Sequence, residues 1–277
     1  MSIEPPERRE PELEDAFDRL VEEGETRLQR PLVALMATGL LGGMDVGTGV
    51  LAYLVVEQRT HNTVLAGLAF SLGFVALTLA RSELFTENFL VPVVALASGR
   101  ARPRALARLW VLTLAFNLLG GALISWLIVT GLPDVRPAAR EVGAHYAHLG
   151  IGLRSFALAV LAGAVITLMT RMQHATESLG VQLVPAILFG ALLAGAQLFH
   201  SVLDSLFMFA ALWSHASFGW GDWAGALGWS VLGNIVGGVG LVTFIRLLRV
   251  PHRVAEERDH NSADDEPQPA ESAEKSG

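Results

Sequence analysis

Six stretches of this chain, at about 31–56, 64–97, 106–130, 151–173, 181–213 and 224–248, are apolar over twenty residues or more. A helix rising 1.5 Å per residue needs about twenty such residues to cross the ~30 Å hydrocarbon layer. Inside that layer backbone N–H and C=O groups must satisfy one another. Runs of this length therefore predict an all-α polytopic membrane protein, and they disfavour a soluble helical bundle. The runs at 64–97 and 181–213 are too long for one straight span, and polar residues interrupt each near its middle. The expectation is six transmembrane helices with the second and fifth broken.

Charge separates the chain into three parts. Residues 1–29 carry ten acids and four bases, and residues 251–277 carry eight acids and three bases. The formal −7 thus belongs to two acidic tails around a mildly basic body, and no basic patch suggests nucleic acid. We divide the chain into a cytoplasmic N-terminal tail (1–29), a channel domain (30–250) and a disordered cytoplasmic C-terminal tail (251–277). Leu13, Phe17, Leu20, Val21 and Leu28 recur at helical spacing, so part of the first tail is either an amphipathic helix or disordered acid-rich chain. Arginines cluster in the connections that share a side with both termini, which predicts both ends on the cytoplasmic face of an inner membrane. The absence of cysteine excludes disulfides and thiolate metal sites.

The two halves resemble each other. Leu84-Phe85-Thr86 in the second run is matched by Leu198-Phe199-His200 in the fifth, 114 residues later. Asn117-Leu118-Leu119-Gly120-Gly121 is matched by Asn234-Ile235-Val236-Gly237-Gly238, 117 residues later. Three spans per repeat force opposite orientations, hence two inverted three-helix repeats, and broken helices at matching places point to a path near the midplane.

These residues resemble the formate–nitrite transporter family. LFTENFLVPVVALASGR (84–100) is similar to that family's second-span break, LFHSVLDSLF (198–207) to its fifth-span break with His200 at the centre, and LGNIVGG (232–238) to its sixth-span motif. The resemblance covers about 30–250. It implies an aquaporin-like fold, a homo-oligomer (a pentamer with one pore per protomer), and passage of small monovalent weak-acid anions such as formate or nitrite.

Elementary energetics say what such a pore needs. Moving a bare carboxylate through an apolar constriction costs tens of kcal/mol in the idealised limit. Protonating an acid of pKa about 4 at pH 7 costs roughly 4 kcal/mol. His200 is the candidate for central proton exchange, with the Thr86 hydroxyl opposite it. Phe70, Phe74, Leu84, Phe85 and Phe199 are candidate apolar gates. Helix N-termini exposed at the two breaks would offer free N–H groups to an anion, and Arg154 would attract anions at the vestibule. Asn117 and Asn234 are read as ties across the broken helices. His145, His148, His174 and His215 lack ligand spacing, so neither a metal nor a cofactor is expected.

Three features depart from the family pattern. The fourth run has no asparagine; Gly163 or Ala159 takes its place. Asp204 stands where an amide is usual, and contact with the His200 ring would make a fixed ion pair. Arg81, Glu83 and Glu87 crowd the first break, and Arg81 is expected to pair with Glu83 or Glu87, while Asp45 also needs a partner. The reading is a channel for weak-acid anions and not an enzyme. The alternatives are a transport-silent regulatory or assembly protein on the same scaffold, and a permease for another small solute.

Overall fold

A computed structural model describes residues 11–248 together with Pro251, Val254, Ala255 and Arg258. The disordered tail expected over 251–277 falls, apart from those four residues, outside the described part, as do residues 1–10. The regular structure of the described residues is all helical, without a strand.

Helix α1 (Pro11–Gln29) precedes the apolar helices α2 (Leu32–Thr60) and α3 (Thr63–Ala80). A connection then carries a 3-10 turn (Phe85–Phe89) into the short α4 (Val91–Ala97), and α5 (Pro103–Gly131) follows. A second series comprises α6 (Arg136–Leu149), α7 (Leu153–Gln173), α8 (Leu179–Gly195), α9 (Ser201–Trp213) and α10 (Trp220–Ile235), ending in a π-helical stretch (Val236–Thr243) and α11 (Phe244–Leu247). Among the described residues five helices are long and apolar enough to cross a membrane, the last of them running through Trp220–Leu247, and α8, α9 and the 85–97 stretch are shorter apolar segments.

Proline and asparagine set several boundaries. Asn62 caps α3 by accepting the N–H groups of Val64 and Leu65. α4 and α5 begin with proline in the first turn, where its missing N–H costs nothing. Arg81 closes α3 in the left-handed conformation, φ 53°. The polar residues from Arg81 to Asn88 therefore follow the end of an 18-residue helix.

Glycine brings the long helices together in two matching pairs. A Cβ on Gly43 of α2 or Gly120 of α5 would strike the main chain of Asn117 or Leu40, so α2 and α5 touch backbone to backbone. Gly163 of α7 and Gly237 of the π-helical stretch stand in the same way against Asn234 and Val160.

α1 lies across one end of the bundle. Its Phe17, Leu20 and Val21 pack with Leu90, Val91 and Val94, and Arg108 of α5 donates to the Leu28 carbonyl at 2.7 Å. α6 occupies the opposite end and packs mainly on α9.

Candidate functional site

Two asparagines build the centre. Asn117 donates its amide to the carbonyls of Gly39 (2.7 Å) and Glu83 (2.8 Å) and accepts the Phe85 N–H (2.8 Å). Asn234 donates to the carbonyls of Ala159 and Phe199, both at 2.9 Å, and accepts the Ser201 N–H at 3.0 Å. Each binds a C=O and, two residues on, an N–H of a non-helical connection. Such groups, freed at depth, need partners.

That equivalence pairs Glu83 with Phe199 and Phe85 with Ser201, so the position matching His200 is Leu84. The motif alignment set Thr86 against His200, two residues out of this register. The two meet nonetheless: Thr86 Oγ1 lies 2.9 Å from His200 Nε2, and both residues are fully buried. His200 Nδ1 accepts the N–H of Leu203 at 3.1 Å as the cap of α9. With Nδ1 occupied as an acceptor, the ring proton sits on Nε2 and is donated to Thr86.

Thr86 and His200 each follow a phenylalanine that belongs to an aromatic cluster. Phe85, Phe89 and Trp110 meet edge-on, with ring centroids 5.0–6.3 Å apart. In the second cluster Tyr146 stacks on Phe199 (6.3 Å) and on Phe207 (6.1 Å). Leu84 is fully buried. Phe70 and Phe74, 5.4 Å apart, fit against Gly49 and Gly190, a packing arrangement between helices.

Several expectations are corrected. The N–H groups of the connections are largely spoken for: Phe85 by Asn117, Ser201 by Asn234, Leu203 by the His200 ring, and His200 by Asp204 Oδ2 at 2.7 Å. The exposed helix N-termini expected to greet an anion are thus filled by the chain's own side chains. Asp204 binds the main chain of His200, so the imidazole–carboxylate ion pair does not form. Neither does the Arg81 pairing. Glu83, 3 % exposed, pairs with Arg30 at 2.7 Å, while Arg81 is exposed at the end of α3. The chain turns away after Arg81, and the connection between α1 and α2 supplies the nearer cation.

Asp45 stands beside Ser82, with one buried carboxylate oxygen unpartnered. Arg154 is exposed at the start of α7, near His145. Ala159 and Gly163 surround Asn234, and a side chain at 163 would strike its backbone.

Sequence reasoning missed the ties at the α1 end. Arg27 donates to Asn88 Oδ1 at 3.3 Å, and Glu23 reaches His174 at 3.2 Å. Burial opposes charge on both, but His174 and Arg27 hold the Glu23 carboxyl down at about 2, and Glu23, Glu83 and Glu87 hold the Arg27 guanidinium above its ordinary value. A cavity of about 480 Å3 lies here, between α1 and residues 77–87. Across the site Thr243 donates to the Phe89 carbonyl at 2.7 Å. The apolar spacing of α1 was the one available signal for this end.

The profile of a family described as "Formate/nitrite transporter" matches residues 14–248. A Bacillus subtilis (strain 168) protein, "Uncharacterized transporter YrhG", is 24% identical over 245 residues, covering 84% of this chain and 92% of its own. "Inner membrane protein YfdC" of Escherichia coli (strain K12) is 26% identical over 271 residues, covering 93% and 84%. Among solved structures, an "FNT family ion channel" superposes with a TM-score of 0.80 at 17% identity, over 86% of this chain and 99% of that one. A "Pentameric formate channel with formate bound" superposes at 0.67 with 23% identity, over 78% and 96%.

Proposed function

The chain belongs to the formate/nitrite transporter family, and on that premise we propose that it is a membrane pore for small monovalent anions of weak acids, formate or nitrite among them. The observation that carries the reading is the buried Thr86–His200 contact, each partner following a phenylalanine of an aromatic cluster. The apolar rings of these clusters exclude hydrated ions, and the polar pair offers a hydrogen-bonding station where an anion can gain a proton. Neutralisation at about 4 kcal/mol is far cheaper than carrying bare charge through the rings.

In this reading α3 with α4, and α8 with α9, are the broken second and fifth of six spans. The matched asparagines and glycines support two inverted three-helix repeats with an aquaporin-like course. The chain works as a pentamer in the inner membrane with both ends cytoplasmic, so α1 closes the cytoplasmic mouth, and residues 30–250 form the channel domain. Glu83 and Glu87 order the first connection, and Arg154 attracts anions outside.

Asp204, with no basic side chain bound to it among the described residues, favours a second reading, a permease for a neutral or cationic solute. The test is uptake by proteoliposomes at two pH values, with formate, nitrite, a neutral solute and a cation compared. We expect pH-dependent formate or nitrite uptake that Thr86→Val and His200→Ala each slow at least about tenfold. Correctly folded protein that carries neither anion would sink the proposal, and uptake of the neutral solute alone would favour the second reading.

A further inference from the structure

The last long helix carries two side chains that reach opposite halves of the chain. Asn234 of α10 binds the carbonyl of Phe199 and the N–H of Ser201, the residues on either side of His200. Nine residues on, at the end of the π-helical stretch, the fully buried Thr243 donates to the Phe89 carbonyl at 2.7 Å. Phe89 ends the 3-10 turn that carries Thr86. One helix therefore holds the main chain beside both partners of the 2.9 Å contact.

α5 makes the reverse arrangement. Asn117 accepts the N–H of Phe85, next to Thr86, and the fully buried Ser125 donates at 3.0 Å to the Leu206 carbonyl in α9, the helix that His200 caps. Each hydroxyl follows a glycine that presses on the same residue. A Cβ on Gly121 would strike the Leu206 side chain, and one on Gly238 would strike the Phe89 ring. The spacing differs by one residue: Gly121 and Ser125 are four apart, Gly238 and Thr243 five. Four residues of α-helix turn about 400°, which keeps both on one face. Five would turn about 500° and carry Thr243 about 140° away from Gly238. Here the helix closes its turn over five residues instead, with the Phe244 N–H bonded to the Val239 carbonyl. The extra residue is absorbed, and Thr243 stays over Phe89.

The Asn88 and Phe89 carbonyls lie where the 3-10 turn passes into α4. Trp110 Nε1 donates to the first at 3.0 Å and Thr243 to the second. Thr86 thus stands between an N–H fixed by Asn117 and a C=O fixed by Thr243. A shift of about 0.7 Å would take its contact with His200 past hydrogen-bonding range.

We propose that Thr243 is a positioning residue for the Thr86–His200 contact, kept over Phe89 by the π-helical turn that follows Gly238. The effect on transport rests on the weak-acid reading above; the effect on the contact does not.

The test uses full-length protein carrying isotope-labelled histidine in liposomes. Solid-state NMR reads the His200 Nε2 signal, identified by its loss in His200→Ala and by its displacement in Thr86→Val. Thr243→Val should displace that signal in the same direction and slow formate uptake at least about tenfold. Thr243→Ser keeps the hydroxyl and should restore both, a rescue that mere loss of side-chain packing would not show. Gly240 is exposed, with nothing near its Cβ position. Deleting it shortens the spacing to four, so an ordinary α-turn should keep the hydroxyl on the Gly238 face and leave the signal in place. An unmoved signal in Thr243→Val overturns the positioning role, and a displaced one in folded protein lacking Gly240 overturns the role of the π-turn. If the signal moves as expected while formate is not carried, or is carried at the wild-type rate, the positioning stands and the weak-acid reading falls.

Discussion

Asn117 and Asn234, on different helices, each make two hydrogen bonds to a connection of the chain and a third to a carbonyl inside a neighbouring helix. Each spends all its drawn contacts on backbone, which makes the pair structural before it is anything else. Replacing either by leucine strands one N–H and one C=O of a connection, the carbonyl of Gly39 or Ala159 lying inside a helix. At roughly 1–3 kcal/mol for a buried group left unpaired, we expect a loss of about 3 kcal/mol or more. Thermal unfolding in detergent measures it, and a melting point unchanged in both variants would contradict the assignment.

Glu83 should depend on Arg30. Arg30→Ala leaves a buried carboxylate without its 2.7 Å partner, and about 3 kcal/mol of destabilisation follows. Adding Glu83→Gln removes the orphaned charge and should recover most of that loss. If the double variant is as unstable as the single, the ion pair is not what the connection needs.

The contact of α1 with the α7–α8 connection should respond to acid. Glu23 is held at about 2 against an ordinary 4.5. A depressed carboxyl stabilises the docked helix fully above about 4.5, and the contribution is lost as pH falls toward 2. The side chain is 39% exposed, so solvent screens much of the effect. The chain has no cysteine, so spin labels on Glu22→Cys and Glu177→Cys report α1 alone. Their separation should broaden below pH 4.5, and Glu23→Gln should abolish that dependence; a separation constant from pH 6 to 2 refutes it.

Glycine substitutions should split cleanly. Gly163→Ala pushes a methyl into the Asn234 main chain and should cost about 1–3 kcal/mol. Gly131, at the end of α5 with nothing near its Cβ position, should accept alanine with a change within about 1 kcal/mol. Equal melting points for the two variants would deny the close helix contact.

The helices were legible because apolar length is a property of local sequence. Thr86 and His200 were legible as a pair because both sit in short motifs, although the asparagine register shows that they are not equivalent positions. What the sequence hid were partners distant along the chain. Arg81 is two residues from Glu83 and Arg30 is fifty-three away, yet backbone direction gives Glu83 to Arg30. Free N–H groups looked available at the connections because nothing local reveals that Asn234 and Asp204 will claim them. Tyr146 passed unnoticed because α6 is too polar to look like part of a membrane core.

The packing of α1 on α4 has a consequence for synthesis. Phe17, Leu20 and Val21 leave the ribosome about seventy residues before Val91 and Val94, which cover them. At ~5–20 residues per second the helix waits several seconds with its apolar stripe uncovered. Glu22, Glu23 and Glu25 beside that stripe keep the segment soluble through the delay. The acidic start of the chain thus serves its birth as well as its finished form.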